Sequence, residues 1–465
     1  MNYTILVNKN NKIKANYLNK VKLITTKDQD NNDVEVEEET FKAFRALQAY
    51  LLTENIHIAI DSSYRSIADQ EKIYNDFLNS NGKEYVTKYV ALPGMSEHHT
   101  GLAIDLSLIV DGKMLEEKTN PKLYHDLYEK VHENLKDFGF ILRYPKDKEH
   151  ITGYQYEPWH IRYVGRFISK IIYENNYTLE EYLTKFSGIL VINKPKNLTS
   201  FDVVNEISHL FGIKKIGHTG TLDPIATGVL VVTIGQATKV VELLTASYKE
   251  YVAEAVLGVD TDTLDITGNI LQTKEYSNDI DMKTLIQSFE KTYYQEVPIY
   301  SAIKVNGKKL YDYARNNEKV TLPKKEVTIK EISLLNKNLP YFTFKCLVSK
   351  GCYIRSLIRD IAKSIDNFAT MSNLTRTKQG KFTLEMSSTL EELKSGKYHI
   401  YKIEEALDYP VLIADEVLEK RIKHGEKLAN TYNIVDKVIF LNRSNCLLGI
   451  YENKGEILKV WKNFN

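Results

Sequence analysis

Two glycine-punctuated runs constrain this chain more than anything else in it, because they belong to different chemistries. The first is Ser96-Glu97-His98-His99-Thr100-Gly101-Leu102-Ala103-Ile104-Asp105, completed by Glu157-Pro158-Trp159-His160. The second is Gly217-His218-Thr219-Gly220-Thr221-Leu222-Asp223-Pro224-Ile225-Ala226-Thr227-Gly228. One gathers imidazoles and carboxylates; the other presents a single carboxylate between glycines. At 465 residues the chain exceeds what one core fills, and domain size alone suggests roughly three domains.

Composition is that of a globular protein, 43% hydrophobic and 26% charged, which excludes wholesale disorder. The net charge of +1 conceals an asymmetry. Residues 1–187 carry 24 Lys and Arg against 28 Asp and Glu, whereas residues 301–382 carry 17 against 6. A local excess of that size is the footprint of a polyanion-binding face. Cys346, Cys352 and Cys446 are too few and too scattered for a disulfide framework or a cysteine-based zinc site. They fit a reducing compartment. The first residues lack the basic and apolar regions of a signal peptide, and no apolar run is long enough for a membrane span. A cytoplasmic protein with no membrane segment is expected.

Periodicity places the motifs on elements. Phe41, Phe44, Leu47 and Leu51 recur at helical spacing and predict a helix over 37–54. Ile56, Ile58 and Ile60 alternate as a strand. Ser66, with Asp69 after it, predicts a capped helix to about residue 79. Leu102, Ile104 and Leu106 alternate again, which puts Ala103, Asp105 and Ser107 on the opposite face. Helices are expected over 121–137 and 165–184. No flexible linker marks the joint near 185–187, where Gly188–Pro195 begins a new strand. Beyond it, strands are expected near 229–234, 249–259 and 341–349, with helices near 201–211, 282–292, 308–316 and 353–365. Short β-rich stretches after residue 400 predict a small barrel-like appendage.

His98, Asp105 and His160 offer two imidazoles and one carboxylate, a set that leaves an open fourth position on Zn²⁺ and so marks a catalytic site. Such a metal lowers the pKa of bound water toward about 7 and polarises a scissile carbonyl. Glu157, just before His160, fits the carboxylate that takes the proton and returns it to a leaving amine. Pro158 keeps Glu157 out of α geometry, which separates this arrangement from the helical His-Glu-x-x-His site. These residues resemble the VanY-type D-alanyl-D-alanine carboxypeptidases and their VanX-type dipeptidase relatives, over roughly residues 3–184. Tyr64-Arg65-Ser66 with Gln70, the stretch 139–145 and the stretch 157–165 carry the resemblance further. It implies zinc on His98, Asp105 and His160, Glu157 as base, and Arg65 as stabiliser of the oxyanion. It also implies Gln70 and Ser96 as contacts for the terminal D-Ala. His99 is read as structural. A D-Ala-D-Ala dipeptide or a recycled muropeptide is the expected substrate.

The glycines of 217–228 lack a Gly-Lys-Ser/Thr ending, which excludes a P-loop. They read as a way to present Asp223. Its company is Lys249-Glu250-Tyr251, Gly351-Cys352-Tyr353-Ile354-Arg355, and Leu374-Thr375-Arg376-Thr377 with Gly380. Lys194-Pro195, Thr199-Ser200 and the stretch 298–307 join them. This set resembles the TruB-type tRNA pseudouridine synthases over about 188–395. That family isomerises uridine 55 in the tRNA T-arm, breaking the N1–C1′ bond and rejoining through C5 without a cofactor. The resemblance implies an extruded uridine held by stacking and edge contacts. Tyr251 would stack on the base, Tyr353 would wall the pocket, His218 would hold the extruded arrangement, and Arg355 would aim Asp223. Asp223 acts either as nucleophile or as the base that opens a glycal intermediate. Lys304, Lys308, Lys309, Lys378 and Lys381 are candidates for phosphate contacts. The tail from about residue 400 resembles the PUA-like appendage of bacterial members.

The expectation is a multidomain α+β chain. Residues 1–186 form a LAS-type zinc D,D-peptidase, 187–398 a mixed α/β pseudouridine synthase fold, and 399–465 a small β-rich PUA-like RNA-binding domain. Expected partners are the tRNA T-arm stem-loop and a D-Ala-D-Ala peptide or dipeptide. Two alternatives stay open: an N-terminal domain that only binds, and two genes joined by a lost stop codon.

Overall fold

Ile104, Leu106 and Leu108 are almost fully buried while Asp105 between them is only partly so, and this alternation organises the N-terminal half. In the computed structural model, which describes residues 2–464, they lie on the strand Ala103–Val110. That strand is second in an antiparallel sheet ordered His57–Ser62, Ala103–Val110, His160–Tyr163 and Phe140–Leu142. The helices Glu38–Thr53 and Pro121–Leu135 send Phe44, Leu47, Leu51, Tyr128, Val131 and Leu135 into the same core as Ile58, Ile60, Ile104 and Leu106. Each such side chain contributes about 1.5–3 kcal/mol on burial, so this face closes and the polar residues take the other. Register then fixes the chemistry. Asp105 stands opposite His160 on one side and Ser62 on the other, and directly opposed residues of an antiparallel pair project to one face.

The chain divides into two compact units: the residues up to Phe186 with Ser208–Lys214, and Ser187–Ile207 with the residues from Lys215 onward. In the first unit, two helices differ from expectation. The helix after Ser66 runs on to Tyr89, with Gly82 alone in non-helical geometry at φ 80°. The segment expected as one helix over 165–184 is two, Arg166–Glu174 and Leu179–Lys185. Thr178 and Glu181 form a capping box that starts the second afresh.

The second unit is built on a nine-stranded sheet. Its order is Thr292–Glu296, Lys324–Asn338, Tyr341–Val348, Lys249–Leu257, Ala369–Gln379, Thr227–Ile234 and Gly188–Lys194, with Ile216–His218 and Phe382–Thr383 paired off this path. The strand Thr227–Ile234 runs parallel to Ala369–Gln379 and antiparallel to Gly188–Lys194 and Ile216–His218. The helix expected over 282–292 is only Met282–Gln287; Thr292-Tyr293-Tyr294 then enters a strand, as β-branched and aromatic residues favour. The residues beyond 400 form a five-stranded sheet ordered Val411–Ile413, Lys437–Leu441, Leu447–Asn453, Ile457–Asn463 and Leu428–Ala429. It has a core of its own around Ile422, Val438, Phe440, Leu448, Tyr451 and Leu458. Among the described residues, no helix is long and apolar enough to cross a membrane.

Candidate active sites

Three side chains converge in the first unit. Asp105 comes from the middle of its strand, His160 opens the neighbouring strand, and His98 comes from the turn Glu97–Thr100. Gly101 ends that turn in the left-handed region at φ 71°. A Cβ there would lie 3.0 Å from Leu23 Cδ2 and 3.3 Å from the Glu37 backbone nitrogen, so glycine is what lets the chain swing from His98 into the strand. One ligand atom from each residue lies within 4.8 Å of the others. Asp105 Oδ2 is 3.2 Å from His98 Nε2, and Oδ1 is 2.9 Å from His160 Nδ1. Oδ1 nevertheless has no hydrogen-bond partner among the described residues. Oxygen and nitrogen are close but misaligned for a hydrogen bond, as ligand atoms aimed at a shared cation are. His98 Nδ1 lies 2.5 Å from Ser63 O. A carbonyl only accepts, so the proton sits on Nδ1 and Nε2 keeps its lone pair for the site.

The electrostatics agree with that geometry. Burial alone would raise Asp105, but His98 and His160 hold it well below the usual carboxylate range. Burial alone would lower His160, but Asp105 outweighs it and the ring is pushed up to about 9. Burial pushes Glu157 up to about 7, against the pull of His160. Its Oε2 lies 3.7 Å from His160 Nδ1. A carboxyl that titrates near neutrality can both take a proton and return it.

Backbone contacts place these groups. Glu157 N donates to Tyr144 O at 3.2 Å, and His160 N donates to Glu157 O at 3.2 Å, with Pro158 between them. Arg65 N donates to His98 O at 3.2 Å. The Arg65 guanidinium donates to Gln70 Oε1 at 2.8 Å and Ser62 Oγ at 3.0 Å. Gln70 Nε2 donates to Ala91 O at 2.8 Å, so both ends of this amide, which is 1% exposed, are occupied in aiming Arg65. Ser96 Oγ accepts from His98 N at 3.3 Å, which leaves its O–H free to donate. His99 ties Arg65 O to Gly94 N through its two ring nitrogens.

In the second unit, Asp223 sits in the loop between Ile216–His218 and Thr227–Ile234. Arg355, at the start of the helix Ile354–Lys363, reaches it twice, Nε to Oδ2 at 2.9 Å and Nη2 to Oδ1 at 3.1 Å. The same guanidinium donates to Thr263 O at 2.8 Å and Tyr300 O at 3.1 Å. Its planar fork is therefore fixed on both edges. The Asp223 side chain is 32% exposed, open to a large substrate. Tyr353 is the N-cap residue of that helix, and its N donates to Gln295 Oε1 at 2.8 Å. Burial pushes the Tyr353 hydroxyl up, with Arg355 and Asp223 close enough to act on it. Tyr251 is buried in the central strand directly across from Arg376. His218 lies on the short strand before the loop, its Nδ1 accepting from Gly220 N at 3.4 Å. Lys304 is exposed on the hairpin Lys304–Val305 with Lys308–Lys309, and makes none of these contacts.

Residues 208–354 match the TruB family pseudouridylate synthase (N terminal domain) model. The tRNA pseudouridine synthase B of Caldanaerobacter subterraneus subsp. tengcongensis is 41% identical over 282 residues, covering 59% of this chain and 94% of its own. That of Bacillus subtilis (strain 168) is 39% identical over 285 residues, covering 57% and 92%. The chain belongs to the tRNA pseudouridine synthase B family. It also carries a VanY D-alanyl-D-alanine carboxypeptidase domain, whose family model matches residues 33–166. A solved structure of a vancomycin resistance D,D-pentapeptidase VanY in complex with Zn(II) is 30% identical, with a TM-score of 0.35, covering 40% of this chain and 100% of that one. Arg65, His98, Asp105, Glu157 and His160 fall inside the VanY match. Asp223, Tyr251 and Tyr353 fall inside the synthase match, and Arg355 lies one position beyond it.

Sequence reasoning assigns no role to three buried charges. Arg376, 1% exposed, donates from Nε to Val229 O at 2.6 Å and from Nη2 to Gly220 O at 2.9 Å. It thereby ties down both ends of the loop that carries Asp223. Lys194, 0% exposed, donates to Pro195 O at 2.8 Å, Leu198 O at 2.6 Å and Pro224 O at 3.4 Å. Burial pushes it down to about 8, against the pull of Asp223. Glu97, beside His98, is fully buried between Arg143 and Arg162. The signal in each case is a charge inside a short apolar or small-residue motif, which a chain this rich in lysine and glutamate masks.

Proposed function

We propose that the second unit isomerises uridine 55 in the T-arm of tRNA, and that the first removes a terminal D-Ala from a D-Ala-D-Ala dipeptide or muropeptide. The Asp223–Arg355 fork carries the first half of this reading. Asp223, aimed by Arg355, acts at C1′ as nucleophile or as the base that opens a glycal. Tyr251 stacks on the extruded base, Tyr353 walls the pocket, and His218 holds the extruded arrangement. Lys304 and the other lysines of 301–382 meet phosphates, which position the RNA without reading it. No cofactor enters. Residues 399–465 serve as a PUA-like RNA-binding domain beside a catalytic domain of 187–398.

The convergence of His98, Asp105 and His160 with Glu157 beside them carries the second half, in a peptidase domain of residues 1–186. Two imidazoles and a carboxylate suit zinc, which when bound supplies Lewis acidity to the scissile carbonyl. Glu157 takes the proton of the attacking water and returns it to the leaving amine. Arg65 meets the carbonyl oxygen as it becomes an oxyanion. Gln70 and Ser96 contact the terminal D-Ala, Gln70 while bonded to the Arg65 guanidinium and Ser96 while bonded to the backbone of His98. Since tRNA is the substrate of one half, we place the chain in the cytoplasm, which favours a dipeptide or recycled muropeptide for the other.

The full-length chain, stripped of metal and then reloaded, tests both halves. Pseudouridine formation on a tRNA transcript is expected in both states, and D-Ala release only with zinc. A zinc-loaded chain that never releases D-Ala would leave the first unit a binding module. Full release by metal-free protein would overturn the zinc reading.

A further inference from the structure

Behind the candidate zinc site lies a charge cluster from which solvent is wholly absent. The side chains of Glu97, Arg143 and Arg162 are each 0% exposed. Glu97 Oε1 accepts from Arg143 Nε and from Arg162 Nη1, both at 2.7 Å. The far edge of Arg143 donates to Glu180 at 3.0 and 2.6 Å. Arg162 Nη2 donates to Tyr3 O at 2.9 Å and Ile5 O at 2.8 Å, and its Nε to Tyr163 O at 3.2 Å. Both guanidiniums are thus clamped, and they clamp Glu97.

Strand register brings this cluster to the metal ligands. His160 and Arg162 are two apart on one strand and share a face; opposite them on Ala103–Val110 stand Asp105 and Ala103. One carboxylate of Glu97 therefore spans from the arginines to the histidine. Its Oε1 is used up by the arginines. Its Oε2 has no hydrogen-bond partner among the described residues, and neither has His160 Nε2. These two orphaned buried atoms lie 3.9 Å apart. That is an electrostatic contact rather than a hydrogen bond, but each atom is costly to leave alone, about 1–3 kcal/mol. A carboxylate oxygen only accepts, so this contact is favourable when Nε2 carries the ring proton. Nδ1, 2.9 Å from Asp105 Oδ1, is then free to ligate.

We propose that Glu97 is a positioning residue of the zinc site: pinned by Arg143 and Arg162, it keeps the ring proton of His160 on Nε2 and so presents Nδ1 as the metal-binding nitrogen. This rests on the zinc reading of His98, Asp105 and His160. It completes a symmetrical device, since the Ser63 carbonyl does for His98 what Glu97 does for His160, through the opposite ring nitrogen.

Glu97→Gln isolates the effect. The two arginines hold the amide oxygen where Oε1 was, so the amide NH₂ takes the place of Oε2 and faces His160 Nε2. A donor there favours the tautomer with the proton on Nδ1, which cannot ligate. Zinc affinity of the full-length chain, read by competition with a chromophoric chelator, is expected to fall about 10–100-fold. Leu47→Ala, which opens a cavity in the core of the first unit, is expected to lower the melting temperature and leave zinc affinity unchanged. A Glu97→Gln chain that binds zinc like wild type overturns the proposal, as does equal zinc loss in Leu47→Ala. Wild-type chain that takes up no zinc instead removes the peptidase reading on which it rests. Should Glu97→Gln not fold, ¹⁵N-histidine NMR of the zinc-loaded wild type decides. A proton on His160 Nε2 with Nδ1 on the metal supports the assignment, and Nε2 on the metal overturns it.

Discussion

Arg355 holds Asp223 through two parallel contacts, Nε to Oδ2 at 2.9 Å and Nη2 to Oδ1 at 3.1 Å, while the same guanidinium is anchored to two backbone carbonyls. A cation so fixed does more than neutralise the carboxylate: it sets the direction from which Asp223 meets the sugar. Asp223→Asn keeps the shape of the loop and removes the reactive oxygen. Pseudouridine formation is expected to disappear, with tRNA affinity in a filter-binding assay changed less than about threefold. Arg355→Lys keeps the charge and loses the fork, and is expected to lower kcat about 100-fold or more at similar tRNA affinity. Turnover by Asp223→Asn would remove the residue from the mechanism.

The peptidase half offers a cleaner separation of metal from base. Glu157 faces His160 Nδ1 at 3.7 Å, outside the trio whose ligand atoms lie within 4.8 Å of one another. Glu157→Gln is therefore expected to retain zinc, one ion per chain by atomic absorption, while D-Ala release drops about 10²–10⁴-fold. His160→Ala is expected to lose both. Zinc loss in Glu157→Gln would make it a ligand instead.

What the sequence made legible follows from how local each signal is. Asp105 and His160 were readable because each sits in a short motif, and strand alternation already put Asp105 opposite the core-facing Ile104 and Leu106. Their pairing across the sheet was not, because register is a property of two segments at once. The same holds for Arg376 and Lys194, whose partners are backbone carbonyls that no motif spells out. Gln70 and Ser96 were legible as site residues, but their hydrogen bonds to Arg65 and from His98 became visible only in three dimensions. The strand Lys324–Asn338 went unread because ten of its fifteen positions are exposed, six of them lysine or glutamate, so its period of two has little hydrophobic contrast.

Glu181 makes the stability of the first unit depend on acid. Burial alone would raise its pKa, but Lys185 at 2.6 Å, Lys148 at 2.9 Å and Thr178 N at 3.1 Å pull it down to about 2. A carboxyl whose folded pKa lies below its unfolded one stabilises above the unfolded value, 4.5, and loses that contribution as pH falls through about 2. Lys185 is half exposed, so solvent screening reduces the effect to about 1 kcal/mol or less. Glu181→Gln is expected to melt below wild type at neutral pH, with the gap closing as pH drops from about 5 toward 2. A gap independent of pH would assign the loss to packing instead.

Gly228 tests whether the Asp223 loop depends on strand register. It lies at φ 100°, opposite Arg376 in the parallel pairing of Thr227–Ile234 with Ala369–Gln379. A Cβ there would come 2.2 Å from Arg376 O and 2.9 Å from Arg376 N, both backbone atoms that cannot turn aside. Gly228→Ala must part the strands at the residue whose guanidinium holds Gly220 O and Val229 O. It is expected to cost more than about 2 kcal/mol in urea unfolding, and to slow single-turnover pseudouridine formation even where the chain is fully folded. Gly307→Ala is the control, since Gly307 also has a positive φ, 81°, but nothing within 4 Å of its Cβ position. Its cost is backbone strain alone, about 1 kcal/mol, with no loss of turnover expected once folding is allowed for. Equal effects at the two positions would mean that strain, and not the approach of Arg376, explains the glycine at 228.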